Sequence, residues 1–297
     1  MKIVISIFCL PYEIDELENT INQLKKASYY LTNKEVEWYL DVTMCTSSDM
    51  VNWGKSSLPK RLFEEKLMKI STSTDWCVKY FRTSDTIKGC VSQRRESIKS
   101  HKDAHYFIWL DTDIIFDERT LSYIENSIIG VKDIPYSIIT PELVRIWDNT
   151  WDCLVNENFI NEKVGYQKIA DPYQCSGLKG DISLERVENI KSPQSRFKFA
   201  GGWFTCISAS LLNKVGVPES FGHYGYEDSF IMVASEKLMR EGKEDIQQFK
   251  LKNVVVCENY KYRNNNHYLN NISAYDRREQ FKKMAFQNFE PELKKIN

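Results

Sequence analysis

The chain has 297 residues, of which 42% are hydrophobic and 27% charged, and its 40 basic side chains against 41 acidic ones leave a formal charge of -1. Such a composition describes a soluble globular chain long enough to bury a core, and it excludes disorder over most of the length. The charge balance excludes a nucleic-acid binder that works through a general basic surface, although it leaves room for a local basic groove.

Ile3 to Phe8 is a continuous apolar run, the pattern of a strand covered on both faces. A leader peptide also pairs a charge with an apolar run. Here the run is short, no small-residue cleavage site follows, and Glu13 and Asp15 arrive at once, so a first buried strand is expected. No segment approaches the roughly 20 apolar residues of a membrane span. Ile14, Leu17, Ile21 and Leu24 follow helical spacing, with acids at the start and Lys25-Lys26 at the end, as the helix dipole prefers. Val36, Trp38, Leu40 and Val42 alternate as a second strand, and Thr43 to Asp49 are expected to form a polar loop after it. Leu58 to Ile70 reads as a helix with Pro59 near its start, and Trp76, Val78 and Tyr80 alternate as a third strand. A helix from about Val91 to Ser100 leads into Tyr106-Phe107-Ile108-Trp109-Leu110, an apolar strand that ends in Asp111-Thr112-Asp113.

The second half is less regular. Tyr136 to Thr140 reads as a strand, Trp147 to Gly180 as loop, and Phe197 to Ser208 as a strand broken by Gly201-Gly202. Ser229 to Arg240 reads as a helix, Asn253 to Cys257 as a last strand, and Arg277 to Lys295 as an amphipathic helical tail. Eight scattered cysteines without a CxxC pair are expected to be free thiols in a reducing cytoplasm, not zinc ligands.

Strand and helix alternate through the first half, which implies βαβ units and an α/β fold with a mostly parallel twisted sheet flanked by helices. No linker divides the chain, so one domain over 1–297 is expected. Open sheets of this kind bind ligands at the carboxyl ends of their strands. Three polar features fall there: Pro11 to Asp15, Thr43 to Asp49, and Asp111 to Asp113. A GxGxxG loop is absent, which disfavours a dinucleotide site. Asp111 and Asp113, one residue apart in extended chain, point the same way. Holding both at the tip of a buried strand has a desolvation cost that Mg²⁺ or Mn²⁺ bridging a diphosphate would offset. The plainer alternative is a pair of acids in a surface turn.

The run Phe107 to Phe116 resembles the DxD motif of nucleotide-sugar glycosyltransferases with the GT-A fold. Ile5 to Tyr12 is similar to their first strand and nucleotide loop, and Gly89 to Arg95 lies where family-2-like members carry a basic helix start. A second block is similar to the acceptor segment of β-1,4-galactosyltransferase-type enzymes: Phe199-Ala200-Gly201-Gly202-Trp203-Phe204, then Leu212 to Pro218, then Phe221 to Ser229 with its Glu227-Asp228. The resemblance covers roughly residues 1–125, a nucleotide-sugar half, and 197–270 within an acceptor half; 141–196 match nothing. It implies a UDP-sugar donor, Mn²⁺ or Mg²⁺ on Asp111 and Asp113, Asp228 as general base with Glu227 orienting the acceptor, and His267 as a further metal ligand. Three departures stand out. Ile114 follows Asp113 in place of a third acid, Glu96 follows Arg95 in place of Asn, and Ser229 follows Asp228 in place of Asp.

The residues themselves leave several roles open. Gly201-Gly202 within a strand pattern marks a bulge or a close backbone approach. Glu227-Asp228 is either a plain helix cap or the carboxylate that takes the acceptor proton in an inverting transfer. Pro11, Tyr12 and Glu13 would contact nucleobase or ribose, with Tyr12 equally suited to core packing, and Thr43 and Asp49 would read the nucleoside edge. Arg94 and Arg95 would reach the diphosphate or a neighbouring acid, or lie on an exposed helix face. Trp203 offers a face on which a sugar ring stacks; Trp147 and Trp151 are a second platform or packing. His223 lies near the base, whereas His101 and His105 are expected to be solvated. The acceptor is by default a saccharide or glycoconjugate. The alternatives are a hydroxymethylated base in DNA, with Lys55, Lys60, Arg61, Lys66 and Lys69 forming a phosphate groove, and a non-catalytic nucleotide-sugar or glycan binder.

Overall fold

Buried apolar runs and amphipathic helices, taken in turn along the chain, assemble a ten-stranded sheet in a computed structural model that describes residues 1–47, 59–76, 78–145, 160–163, 171–187, 201–259 and 272–297. The strands are β1 (Lys2–Cys9), β2 (Glu37–Cys45), β3 (Val78–Ser84), β4 (Tyr106–Leu110), β5 (Ile114–Ile115), β6 (Tyr136–Arg145), β7 (Ile160–Lys163), β8 (Gly177–Arg186), β9 (Phe204–Ser208) and β10 (Ile246–Glu258). Interleaved with them are the helices α1 (Ile14–Ser28), α2 (Lys60–Ser73), α3 (Cys90–Ser100), α4 (Thr120–Gly130), the short α5 (Pro172–Cys175), α6 (Ala209–Val215), α7 (Glu227–Arg240) and α8 (Ile272–Lys295). The sheet order is β3-β2-β1-β4-β9-β6-β10-β5, with β7 added beside β6 and β8 beside β10.

The first four strands run parallel, as their βαβ connections require. The second half departs from that rule: β9 enters antiparallel between β4 and β6, and β10 pairs parallel with β6 but antiparallel with β8 and β5. Thr43 to Cys45 extend β2 where a loop was expected, because they continue the parallel ladder with Arg82 to Ser84. β8 occupies part of the stretch expected to be loop. Its Leu178, Ile182 and Leu184 are half-buried against the core, but Gly180 interrupts their alternation, which leaves the apolar pattern of a strand weak in the sequence. β10 begins at Ile246, before the expected start, and a register irregularity between Leu251 and Val255, with Asn253 at φ 62°, interrupts its apolar pattern. Among the described residues no helix is long and apolar enough to cross a membrane, and Cys9, Cys45, Cys90, Cys175, Cys206 and Cys257 are free thiols.

Three buried polar contacts fix how α3 sits on the sheet. Gln93 exchanges hydrogen bonds with Ser6 of β1, Nε2 donating to Oγ at 2.8 Å. Ser97 donates to Asp41 of β2 at 2.8 Å, and His101 at the helix end brings Nε2 to 3.3 Å from the same carboxylate. Arg82 of β3 also pairs with Asp41. His101 is therefore 7% exposed and not solvated, because its ring packs against the fully buried Asp41. His105 is exposed as expected, accepting the Lys2 N–H at 3.1 Å. Burial alone would push the Asp41 carboxyl up, but His101, Arg82 and Ser97 together hold it below the usual range.

A carboxyl held down in the folded state adds stability above its unfolded range that is lost as pH falls through its folded value. Asp41→Ala is therefore expected to cost about 2–3 kcal/mol, toward the low end for a broken buried pair because Arg82 stays half exposed. Urea unfolding at pH 7 measures this, and the gap from wild type should narrow in acid.

Candidate active site

Four segments converge at the carboxyl end of β4. The strand is buried throughout and delivers Asp111 at its tip. The chain before β9 runs alongside, so that the Asp111 N–H donates to the Trp203 carbonyl at 3.0 Å and Leu110 faces Phe204 across the ladder. α7 begins at Glu227, and α3 brings Arg94 from the other side. The Arg94 guanidinium, 6% exposed, pairs with Glu227 Oε1 and donates to Asp111 Oδ1 at 3.1 Å and to the Gly202 carbonyl at 3.0 Å. It also lies 4.7 Å from the centroid of the Trp109 ring. A Cβ at Gly202 would collide with both terminal nitrogens of the Arg94 guanidinium and displace it from this position. The Gly202 N–H in turn donates to Asp228 Oδ2 at 3.0 Å, and the Ser229 N–H donates to Asp228 Oδ1 at 2.6 Å.

The acids outnumber the bases here. Glu13, at the end of the turn Pro11–Glu13, is pushed up to about 8 by burial, with Asp113, Glu16 and Asp111 adding to the rise and the Leu10 N–H opposing it. Glu16, one turn on, is raised to about 7, first by burial and then by Asp15 and Asp113, with its own N–H and Lys66 opposing the rise. Asp111 keeps 49% of its side chain exposed to the cleft, yet the surrounding protein removes enough water to raise it to about 7; Arg94 opposes that rise, while Asp113, Asp228 and Glu227 reinforce it. Glu227 is raised first by burial, and Arg94 opposes the rise. Burial would lower the Arg94 guanidinium, but Glu227 and Asp111 outweigh it and hold that group above its ordinary value.

The structure thus brings Asp111, Arg94, Gly202, Glu227 and Asp228 together, with Asp113 close enough to raise Asp111 and with both aspartates close enough to raise Glu13. Other expected residues are placed differently. Arg95 donates to the carbonyls of Pro218 at 2.5 Å and Gly222 at 2.9 Å; the arginine beside Asp111 is Arg94. Trp203 is 1% exposed, so its ring is core and presents no face for a sugar to stack on. Glu227 is 3% exposed and engaged with Arg94, so it reaches the cleft through that arginine and not by touching an acceptor. Pro11 is buried, and Tyr12 is half-buried against the cluster of Leu10 and Cys45, on which Ile87 also packs. Glu13 folds back to accept the Leu10 N–H at 2.8 Å, and Thr43 is buried within β2. Asp49, Lys55, Trp147, Trp151 and His267 lie outside the described residues. The basic residues of α2 are largely engaged: Lys60 with Asp85 and Glu64, Arg61 with Glu65, and Lys66 with Asp15 and Glu18. Such pairing removes much of the positive potential that a phosphate groove requires. Two participants went unanticipated. Glu16 lies three residues after Glu13, a spacing that places both on one helical face, and Asn259 follows the last strand and donates its N–H to the Asp113 carbonyl at 2.6 Å.

A divalent cation fits this chemistry. Crowded carboxylates that raise one another are relieved by a positive ion, and oxygen donors suit Mg²⁺ or Mn²⁺. Among the described residues no three potential ligands form a cluster. Beside the carboxylates, a groove of about 570 Å³ opens at the ends of β2 and β3, lined by Ser47, Asp85, Thr86, Ile87, Lys88, Glu96 and His223. Its size suits a small organic ligand, and its lining does not include Glu13, Asp111, Glu227 or Asp228.

No protein-family model matches the sequence, and comparison with curated proteins finds no match. Among solved structures the chain is similar to TarS of S. aureus, at 13% identity and TM-score 0.50 over 87% of this chain and 36% of that one. It is also similar to the mannosyltransferase PcManGT from Pyrobaculum calidifontis in complex with GDP-Man and Mn²⁺, at 12% identity and TM-score 0.51 over 93% of this chain and 64% of that one. The chain therefore spans less than two thirds of the length of either structure. At this identity the likeness is one of fold, and the architecture is of the GT-A type.

A carboxyl raised in the folded state binds its proton more tightly there than in the unfolded chain. For Glu13, Glu16 and Asp111 this means stability falls as pH rises from about 4 to about 8. An ion that binds the ionised forms reverses that loss. Mn²⁺ should accordingly raise Tm little at pH 5 and by about 5 °C at pH 8, and the rise should vanish in the Asp111→Asn/Asp113→Asn double variant. Differential scanning fluorimetry reads this; an equal rise at both pH values, or one that survives the double substitution, would locate the ion elsewhere.

Proposed function

We propose that the chain is a glycosyltransferase that moves a hexosyl or pentosyl unit from a nucleotide sugar, a UDP-sugar first among them, to a hydroxyl acceptor with inversion. The observation that supports this most is the junction at Arg94 and Gly202, where the acid at the tip of β4 and the acids at the start of α7 meet around one guanidinium and one glycine. A transferase needs that junction, because donor diphosphate and acceptor hydroxyl must be held within bonding distance of one another.

Each residue then has a task. Asp228, oriented by the Gly202 and Ser229 N–H groups, keeps lone pairs on both oxygens for an acceptor proton and serves as general base. Glu227 fixes the Arg94 guanidinium, and Arg94 steadies Asp111. Asp111 and Asp113 would hold Mn²⁺ or Mg²⁺, which when bound offsets negative charge on the departing nucleoside diphosphate. Pro11 and Tyr12 would border the nucleoside at the end of β1, with the groove beside Ile87 within reach. A saccharide or glycoconjugate is the acceptor favoured over DNA, given the engaged cations of α2.

The test is release of free nucleotide from a panel of UDP- and GDP-sugars with Mn²⁺. Asp228→Asn should lower kcat by about 10²- to 10⁴-fold with donor KM little changed, and Asp113→Ala should abolish the Mn²⁺-dependent turnover. Undiminished turnover in Asp228→Asn would remove the base assignment. Donor binding without release by wild type would favour the non-catalytic binder.

A further inference from the structure

The loop that presents Glu227 and Asp228 is held on two sides. From one side α3 holds it: Arg95 donates to the Pro218 and Gly222 carbonyls, and the Val91 N–H donates to the His223 carbonyl at 3.2 Å. From the other side α8 lies along it. Phe281 packs on His223 with ring centroids 5.5 Å apart. Met284 covers Gly222 so closely that a Cβ there would collide with its Cε, and Lys282 covers Gly225. Asn288 donates to the Ser220 carbonyl at 3.1 Å, and Ser220 donates to Glu292 at 2.7 Å. At the far end Lys237 of α7 donates to the Leu293 and Ile296 carbonyls at 3.1 and 2.6 Å, tying the last turn of α8 to the helix that carries the acids.

At the centre of this contact is Phe289. It stacks on Phe221 at 5.9 Å and meets Phe230 edge-on at 5.4 Å and Tyr226 edge-on at 6.4 Å. Tyr226 immediately precedes Glu227 and has φ 66°, ψ 2°, a left-handed conformation that a side chain with a Cβ disfavours. Such a residue persists only where its surroundings over-determine it. Gly222 and Gly225, also at positive φ, give the loop little rigidity of its own.

We propose that α8 is a positioning clamp for the loop 219–228, and that Phe289, with Phe286 at 6.0 Å from the same ring, is a positioning residue that holds Tyr226 left-handed and so sets where Glu227 meets Arg94 and how Asp228 faces the cleft. α8 acts through the loop that it packs against. The catalytic consequence rests on the transferase reading, whereas the clamp itself does not.

The experiment uses the full chain as wild type, Phe289→Ala and Phe289→Leu, with two readouts. In amide hydrogen exchange, residues 222–229 should exchange about tenfold faster in Phe289→Ala and by an intermediate factor in Phe289→Leu, while 106–110 of β4 stay at wild-type rates. In turnover of whichever UDP- or GDP-sugar wild type hydrolyses with Mn²⁺, kcat should fall about tenfold or more in Phe289→Ala with donor KM within about threefold, and Phe289→Leu should recover part of it. Unchanged exchange at 222–229, exchange rising in step at 106–110 in both variants, or faster loop exchange with unchanged kcat would each overturn the proposal. If wild type releases no nucleotide from any donor, the transferase reading fails, and the exchange pattern alone still decides whether α8 clamps the loop.

Discussion

One buried guanidinium holds the cleft together. Arg94 stands where the carboxyl end of β4, the Gly201-Gly202 turn and the start of α7 meet, and it satisfies Asp111, Glu227 and the Gly202 carbonyl at once. A charge this deeply buried is stable only when its partners are close and its remaining N–H groups find acceptors. The partners here are themselves carboxylates that burial would otherwise force to take up protons. Arg94 favours their ionised forms, and they keep Arg94 in place.

That position depends on the fold in a definite order. Burial on both faces sets β1 and β2 side by side, and in their parallel register Ser6 of β1 lies opposite Asp41 of β2. Those two polar groups, buried inside an apolar sheet, accept their partners from one face of α3, through Gln93 and Ser97. A helix held at those two positions has its rotation fixed, and Arg94, next to Gln93, is carried toward Asp111. From the opposite side the loop 219–228, confined between α3 and α8, aims Glu227 back at the same arginine. Structural polarity in the core and chemistry in the cleft are linked through a single short helix.

Much of this is legible in the residues alone. Ile3 to Phe8 and Tyr106 to Leu110 are unbroken apolar runs, and such runs become central strands because no other element buries both faces. Asp111 and Asp113 stand out because acids directly after such a run contribute nothing to packing and cost desolvation, and Glu227-Asp228 because a Gly-rich aromatic loop precedes them. What stays hidden depends on rotation and depth. Arg94 and Arg95 are adjacent, yet about 100° apart around the helix, and only the tethers to Ser6 and Asp41 decide which one faces the acids. Trp203 reads as a sugar platform in the sequence because a tryptophan beside two glycines fits exposure as well as burial; the antiparallel entry of β9, a long-range event, places it in the core. His101 is drawn inward by an aspartate about sixty residues away, and the apolar face of β8, Leu178, Ile182 and Leu184, is interrupted by Gly180 and so does not announce a strand.

The most direct test is a double-mutant cycle between Arg94 and Glu227, with Arg94→Met, Glu227→Gln and the combined variant compared by urea unfolding at pH 7. If one guanidinium organises the acids, Arg94→Met alone costs about 3 kcal/mol or more by stranding Glu227. Adding Glu227→Gln then returns part of that loss, with a coupling energy of about 2 kcal/mol. Costs that simply add to within about 0.5 kcal/mol would mean that the two side chains do not depend on each other, and the cleft would then have to be held by something other than Arg94.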